Sequence, residues 1–195
     1  MYLIRGQHNL KLFKSRHPNV LLSGTIGNFD GLHLGHQAIL EKIKNNAQKY
    51  NAKTIVFFTE PHAAEYFSKV RDKNQIPPPR ICPWREKFQL LKKSKIDFAC
   101  FLKFNSKLRT MSPDDFISQI LDSINLVSFT VGDDFRFGAG RKGDTDLLKN
   151  WGEKKGILVE NTETITLDGQ RVSSTRIREE LLNNNFNNAE KLLGR

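Results

Sequence analysis

The run Gly27-Asn28-Phe29-Asp30-Gly31-Leu32-His33-Leu34-Gly35-His36 sets two imidazoles three residues apart among three glycines. On a helical turn, positions i and i+3 point the same way, so His33 and His36 can offer N–H donors to one anionic group. Gly27, Gly31 and Gly35 let the backbone turn and come close to a ligand. The free N–H groups and positive dipole of a helix starting here favour a phosphate. The plain alternative is a Gly-rich turn with two solvated histidines. A zinc pair is another, but no cysteine pair or acidic third ligand accompanies it. The spacing is neither G-x-G-x-x-G nor G-x-x-x-x-G-K-[ST], which disfavours a dinucleotide fingerprint and a P-loop.

Three further segments carry chemistry. In Ser173-Ser174-Thr175-Arg176-Ile177-Arg178, three hydroxyls precede a helix with two guanidinium groups in its first turn. Cations there oppose the helix dipole; an anion held between Arg176 and Arg178 would offset that, and the planar guanidinium fork suits phosphate. A capped helix with solvated arginines is the alternative. Val131-Gly132-Asp133-Asp134-Phe135-Arg136-Phe137-Gly138-Ala139-Gly140-Arg141 offers carboxylates, aromatics and glycines able to hold a flat ring. It could equally be a loop whose phenylalanines pack inward. Glu60-Pro61-His62 is the last segment, and a lone histidine after proline is commonly structural.

These segments need a scaffold that brings them together. Short apolar runs at 20–26, 53–58, 98–102 and 127–131, with a weaker one at 156–160, read as buried strands. Near-continuous apolar strands are expected where helices cover both faces of a parallel sheet. Helical patterns follow His36, span Trp84 to Lys93, begin at Ser112-Pro113-Asp114-Asp115, and run from Ser174 to Leu182 and from Phe186 to Leu193. Ser112 is a cap, Pro113 suits the first helical position, and two carboxylates favour the first turn. Asp168-Gly169 predicts a tight turn. Pro77-Pro78-Pro79 reads as a flexible loop and Asn183 to Asn188 as a connector. The alternation predicts an α/β doubly wound, mostly parallel sheet of about five strands. Three of the four segments follow strand ends, so their loops can converge on one rim.

Composition bounds the partners. The 195 residues carry 31 Lys and Arg against 21 Asp and Glu, a net charge of +10, with 38% hydrophobic residues. One folded domain over 1–195 is expected. The charge favours nucleic acid, phosphorylated small molecules or a membrane surface. Two cysteines, Cys82 and Cys100, do not make a disulfide framework. The N-terminus has no apolar signal core, and no apolar run approaches the roughly 20 residues of a bilayer span. A cytoplasmic setting is the expectation.

The segment Gly27 to His36 resembles the H-x-G-H nucleotidylyltransferase signature in the form found in prokaryotic bifunctional riboflavin kinase/FAD synthetases. Glu60-Pro61-His62, Arg85-Glu86-Lys87, Val131 to Gly138, Ser173 to Arg178 and Leu192-Leu193-Gly194-Arg195 fall in that family's order. The resemblance implies a Rossmann-like nucleotidylyltransferase fold making FAD from FMN and ATP with Mg²⁺. It implies that Gly27, Asn28, Phe29, Asp30, Gly31, His33, Gly35 and His36 hold ATP, and that Ser173, Ser174, Thr175, Arg176 and Arg178 complete the phosphate site. It places Glu60, Pro61, His62, Asp134, Phe135 and Phe137 on the flavin side. Within it, His33, His36 and Arg176 are the catalytic candidates, and Asp30 or Asp134 could touch Mg²⁺. Ala63 departs from the proline usual in the family, and the family's riboflavin kinase barrel is absent from these residues, so that activity is not expected of them. Two rival readings remain: transfer to another phosphorylated acceptor, such as a pantetheine phosphate or nicotinamide mononucleotide, and a basic nucleic-acid-binding domain. No helix-turn-helix, zinc-finger or aromatic RNA-binding signature supports the second.

Overall fold

A computed structural model of the chain describes residues 1–71 and 76–195. Its elements run β1 (Tyr2–Arg5), α1 (His8–Arg16), β2 (Leu22–Ile26), α2 (Leu34–Lys49), β3 (Lys53–Glu60), α3 (Ala63–Arg71), α4 (Trp84–Lys93), β4 (Phe98–Lys103), α5 (Ser106–Thr110), α6 (Pro113–Phe116), β5 (Leu126–Gly132), α7 (Thr145–Lys155), β6 (Leu158–Thr162), β7 (Thr166–Leu167), β8 (Gln170–Arg171), α8 (Ser174–Leu182) and α9 (Phe186–Leu193). Six strands form a parallel sheet in the order β1-β4-β3-β2-β5-β6. The extra strand relative to the expected five is β1. It lies at the sheet edge with only Ile4 buried, so it lacks the apolar run that marks the central strands.

The central strands divide their side chains between two cores. In β3, Ile55 and Phe57 enter the layer formed with α1, α6 and α7, whereas Val56 and Phe58 enter the layer formed with α2 and α4. That is the two-residue alternation of a strand covered on both faces. The chain order reverses between β2 and β5, and such a reversal opens a crevice beyond the strand ends.

Local sequence explains several terminations. Ser112 accepts from the Asp115 N–H at 3.0 Å with Pro113 at the first helical position; the helix then continues with π hydrogen bonding over Ile117–Leu121. Asp168 and Gly169 both take positive φ, 55° and 72°, and turn β7 into β8. The loop at Pro77-Pro78-Pro79 is anchored rather than free, because the Pro79 carbonyl accepts from Arg178 Nε at 2.7 Å. Helices α1, α3, α5 and α7 lie outside the helical patterns named from the sequence. Among the described residues no helix is long and apolar enough to cross a membrane.

Helix α7 lies tightly on β6. A Cβ on Gly152 would stand 2.6 Å from the Ile157 carbonyl oxygen and 2.5 Å from Val159 Cγ2. Gly152→Ala is therefore expected to destabilise the protein by about 1–3 kcal/mol despite alanine's better helix propensity. Thermal unfolding should show a loss of about 2–12 °C.

Candidate active site

A cavity of about 960 Å³ opens at the reversal between β2 and β5. Its walls come from the loop after β2, the start of α2, the segment after β5, helix α3, the stretch following β4, and the residues leading from β6 into α8. Of the residues singled out in the sequence, Gly27, Asn28, Phe29, His33, Gly35, His36, Asp134, Phe135, Phe137, Ser173 and Ser174 line it.

The β2–α2 loop is built to expose its helix start. His33 is the N-cap of α2, with Nδ1 accepting from the His36 N–H at 3.4 Å. An accepting Nδ1 leaves the proton on Nε2. The two imidazoles stack with centroids 3.7 Å apart. Burial and the nearby Arg171 push His33 down to about 4, against an ordinary 6.5, with Asp30 opposing. Burial, His33 and Lys87 hold His36 well below the ordinary histidine range. At neutral pH both rings are uncharged donors. Gly35 passes the His33 ring so closely that a Cβ would sit 3.2 Å from Cε1. Phe29 and Leu32 hold φ of 49° and 45°, a left-handed conformation costing about 1–3 kcal/mol each in non-glycine residues.

Several expected ligand contacts are occupied within the fold. The Asp30 carboxylate takes the Ile81 and Cys82 N–H groups, each at 3.1 Å, and pairs with Arg178; neither Asp30 nor Arg178 lines the cavity. Gly31 donates its N–H to Cys82 Sγ at 3.3 Å. Arg176 donates to the carbonyls of Leu167 (2.9 Å) and Gln170 (3.1 Å), so it clamps the β7–β8 hairpin. Thr175 is exposed in the first turn of α8. Glu60 receives Arg80 at 2.6 and 3.1 Å, with Glu65 sharing the same guanidinium. Pro61 follows Glu60 through a cis bond, and His62 accepts the Ala64 N–H at 3.1 Å at the start of α3. The structure therefore makes Asp30, Gly31, Glu60, His62, Arg176 and Arg178 supports of the cavity rather than its lining, and Pro61 and Thr175 also lie outside the lining.

Other cavity residues escaped the sequence reading. Arg171 lines it and pairs with Asp134 at 2.8 Å and Asp133 at 3.8 Å. Thr164 donates to the same Asp133 carboxylate. Arg109 adds a cation, joining Arg136 and Arg141 of the segment already singled out. Phe67 and Phe104 face the cavity beside Phe135. Phe137 both lines the cavity and packs inward on Phe116, ring centroids 5.2 Å apart. Arg171 stands two residues before Ser173, a proximity that could have drawn attention to it.

A parallel α/β sheet with an H-x-G-H helix start at its reversal point defines a nucleotidyltransferase-like domain. The chain belongs to the FAD synthetase family, whose model matches residues 15–176. It is 39% identical over 196 residues to a bifunctional riboflavin kinase/FMN adenylyltransferase of Pseudomonas fluorescens, covering all of this chain and 60% of that protein. The protein of the same name from Escherichia coli K12 is 40% identical over 195 residues, with 100% and 59% covered. The chain thus spans about three fifths of the length of these curated relatives. Among solved structures, a protein described as a macrolide-efflux protein from Streptococcus pneumoniae superposes with a TM-score of 0.82 at 23% identity, covering 100% of this chain and 62% of that one. A pantoate-beta-alanine ligase from Francisella tularensis gives 0.56 at 15% identity, with 98% and 83% covered. At these identities the two structures speak to the fold alone.

The depressed histidines set a pH dependence. Between about 4 and 6.5, the unfolded chain protonates His33 while the folded chain resists it. Stability therefore rises with pH across that window and is lost as pH falls through it. His33→Asn keeps a capping acceptor and removes one titrating ring. Urea unfolding from pH 4 to 7 is expected to give a shallower slope for the variant; an unchanged slope would assign the acid sensitivity to other groups.

Proposed function

We propose that this chain is an adenylyltransferase domain that moves AMP from ATP to FMN, giving FAD and pyrophosphate. The observation that carries the reading is one cavity with two chemistries. Its lining includes His33, His36, the start of α2, and Ser173 and Ser174 as a first set, and Phe67, Phe104 and Phe135 as a second. The first set suits a triphosphate and the second a flat tricyclic ring. The FMN phosphate oxygen attacks the α-phosphorus of ATP, and the bond to the departing pyrophosphate breaks. A phosphate monoester is already an anionic nucleophile, so positioning and charge stabilisation carry the rate. His33 and His36 donate N–H groups to the phosphoryl oxygens without adding charge. Arg171 faces the phosphates, and Arg176 acts on them through the hairpin it clamps.

Mg²⁺ fits this arrangement as a companion of the triphosphate. Among the described residues no cluster of three or more His, Cys, Asp or Glu side chains forms a metal cage. Asp133 and Asp134 line the cavity, and one or two carboxylates with phosphate oxygens and waters are the usual Mg²⁺ set. These two are its proposed protein ligands; of the two carboxylates the resemblance suggests, Asp134 lines the cavity and Asp30 does not, and the ion would neutralise phosphate charge. We place the reaction in the cytoplasm, where the free thiols Cys82 and Cys100 stay reduced.

The test incubates the purified protein with FMN, ATP and Mg²⁺ and separates the flavins over time, with riboflavin in a parallel reaction. FAD from FMN alone is the expected result. Adenylylation of a pantetheine phosphate or nicotinamide mononucleotide instead of FMN would replace the acceptor. His36→Ala is expected to lower kcat by about 10²–10³-fold, and wild-type turnover in that variant would remove its assigned role.

A further inference from the structure

Lys87 lies in α4 with 4% of its surface exposed, and among the described residues it makes no ion pair. A buried ammonium is costly unless something holds it. Here Nζ donates to the Asn28 carbonyl at 2.6 Å and stands 5.1 Å from the centroid of the Phe58 ring. Burial lowers the Lys87 pKa from its ordinary value, with Asp30, Cys82 and Glu60 opposing; an ammonium is the stronger donor to a carbonyl, so the bond to Asn28 also favours the protonated amine. Asn28 immediately precedes Phe29, whose φ is 49°, and both line the cavity. Lys87 thus meets the loop at its strained turn without itself lining the cavity.

We propose that Lys87 is a positioning residue for adenylyl transfer: its buried ammonium pins the Asn28 carbonyl and lends positive potential to the loop and histidines that receive the triphosphate. The proposal rests on reading this cavity as an ATP site. The charge acts locally. Asp30, Cys82, Glu60, Arg80, His36 and His62 are charged or titratable groups around Lys87. His36 faces His33 at the cap of α2 and Lys87 from α4, with Arg171 of β8 and Asp30 beyond His33. Lys87 is one of the groups that keep His36 neutral, after burial and His33.

The experiment compares wild type with Lys87→Met, Lys87→Gln and Lys87→Arg. Calorimetric titration with ATP is done without FMN; KM, kcat and the pH profile of kcat/KM are measured with FMN; melting is recorded for each. Lys87→Met is expected to weaken ATP binding and raise its KM by about 10–100-fold, the range of a hydrogen bond from a charged group. Its acid limb should move to higher pH, because His36 takes a proton more readily once the neighbouring cation is gone. Lys87→Gln keeps a donor for Asn28 but no charge, so it should show the same pH shift with part of the affinity retained. Lys87→Arg should restore both. If Lys87→Met does not fold, Lys87→Gln makes the same comparison. A folded variant with unchanged ATP affinity and acid limb overturns the proposal. So does one whose melting point and active fraction fall while KM and the acid limb stay put. A wild type that binds ATP but forms no FAD rejects the adenylyl-transfer reading, and the ATP titrations of the variants then decide the role of Lys87 by the same ratio.

Discussion

The carboxylate of Asp30, removed from water between three segments distant in sequence, is the contact on which the site depends. It gathers the N–H groups of Ile81 and Cys82 and the guanidinium of Arg178. Its own main-chain carbonyl accepts from Ser174 Oγ at 3.0 Å. A buried ion pair offsets its desolvation only with good geometry and additional hydrogen bonds, and Asp30 has both. The result is a loop fixed from several sides, which is what residues such as Phe29 and Leu32 need to persist with positive φ.

Around that fixed loop the cations are of two kinds. Arg178 is largely enclosed with Asp30, whereas Arg171 and Arg136 sit in more exposed pairs with Asp134 and Asp144. Exposed pairs contribute little in water, so those guanidinium groups are cheap to redirect toward a phosphate. The enclosed pair is not. Position in the fold, rather than residue type, separates arginines that hold the protein together from arginines free to meet a ligand.

The same distinction sets how much the sequence revealed. The strands β2 to β5 were legible because burial on both faces demands continuous apolar runs. His33 and His36 were legible because their spacing on a helix start has few uses. The edge strand β1 was not, since one buried residue in four leaves no pattern. Asp30, Arg176 and Arg178 were recognised as important, but the residues that occupy them lie in β7, β8 and the stretch before α4, and no local pattern announces such pairings. Lys87 stands in the sequence as one of a run of charged residues, Arg85-Glu86-Lys87. Yet positions 84, 87, 88 and 91 share one side of α4, and Leu91 is fully buried; helical spacing alone could have placed the lysine inside.

The C-terminal helices return to the beginning of the chain. Ser174 and Arg178 reach Asp30 across 144 and 148 residues, Gln37 holds the Leu193 carbonyl across 156, and Arg195 holds Gly31 across 164. Closing loops of that size must be met with chain entropy before any of these bonds can form. The surface that meets the ligand is thus the part of the molecule whose assembly asks most of the chain, and its shape exists only once both ends of the sequence have found each other.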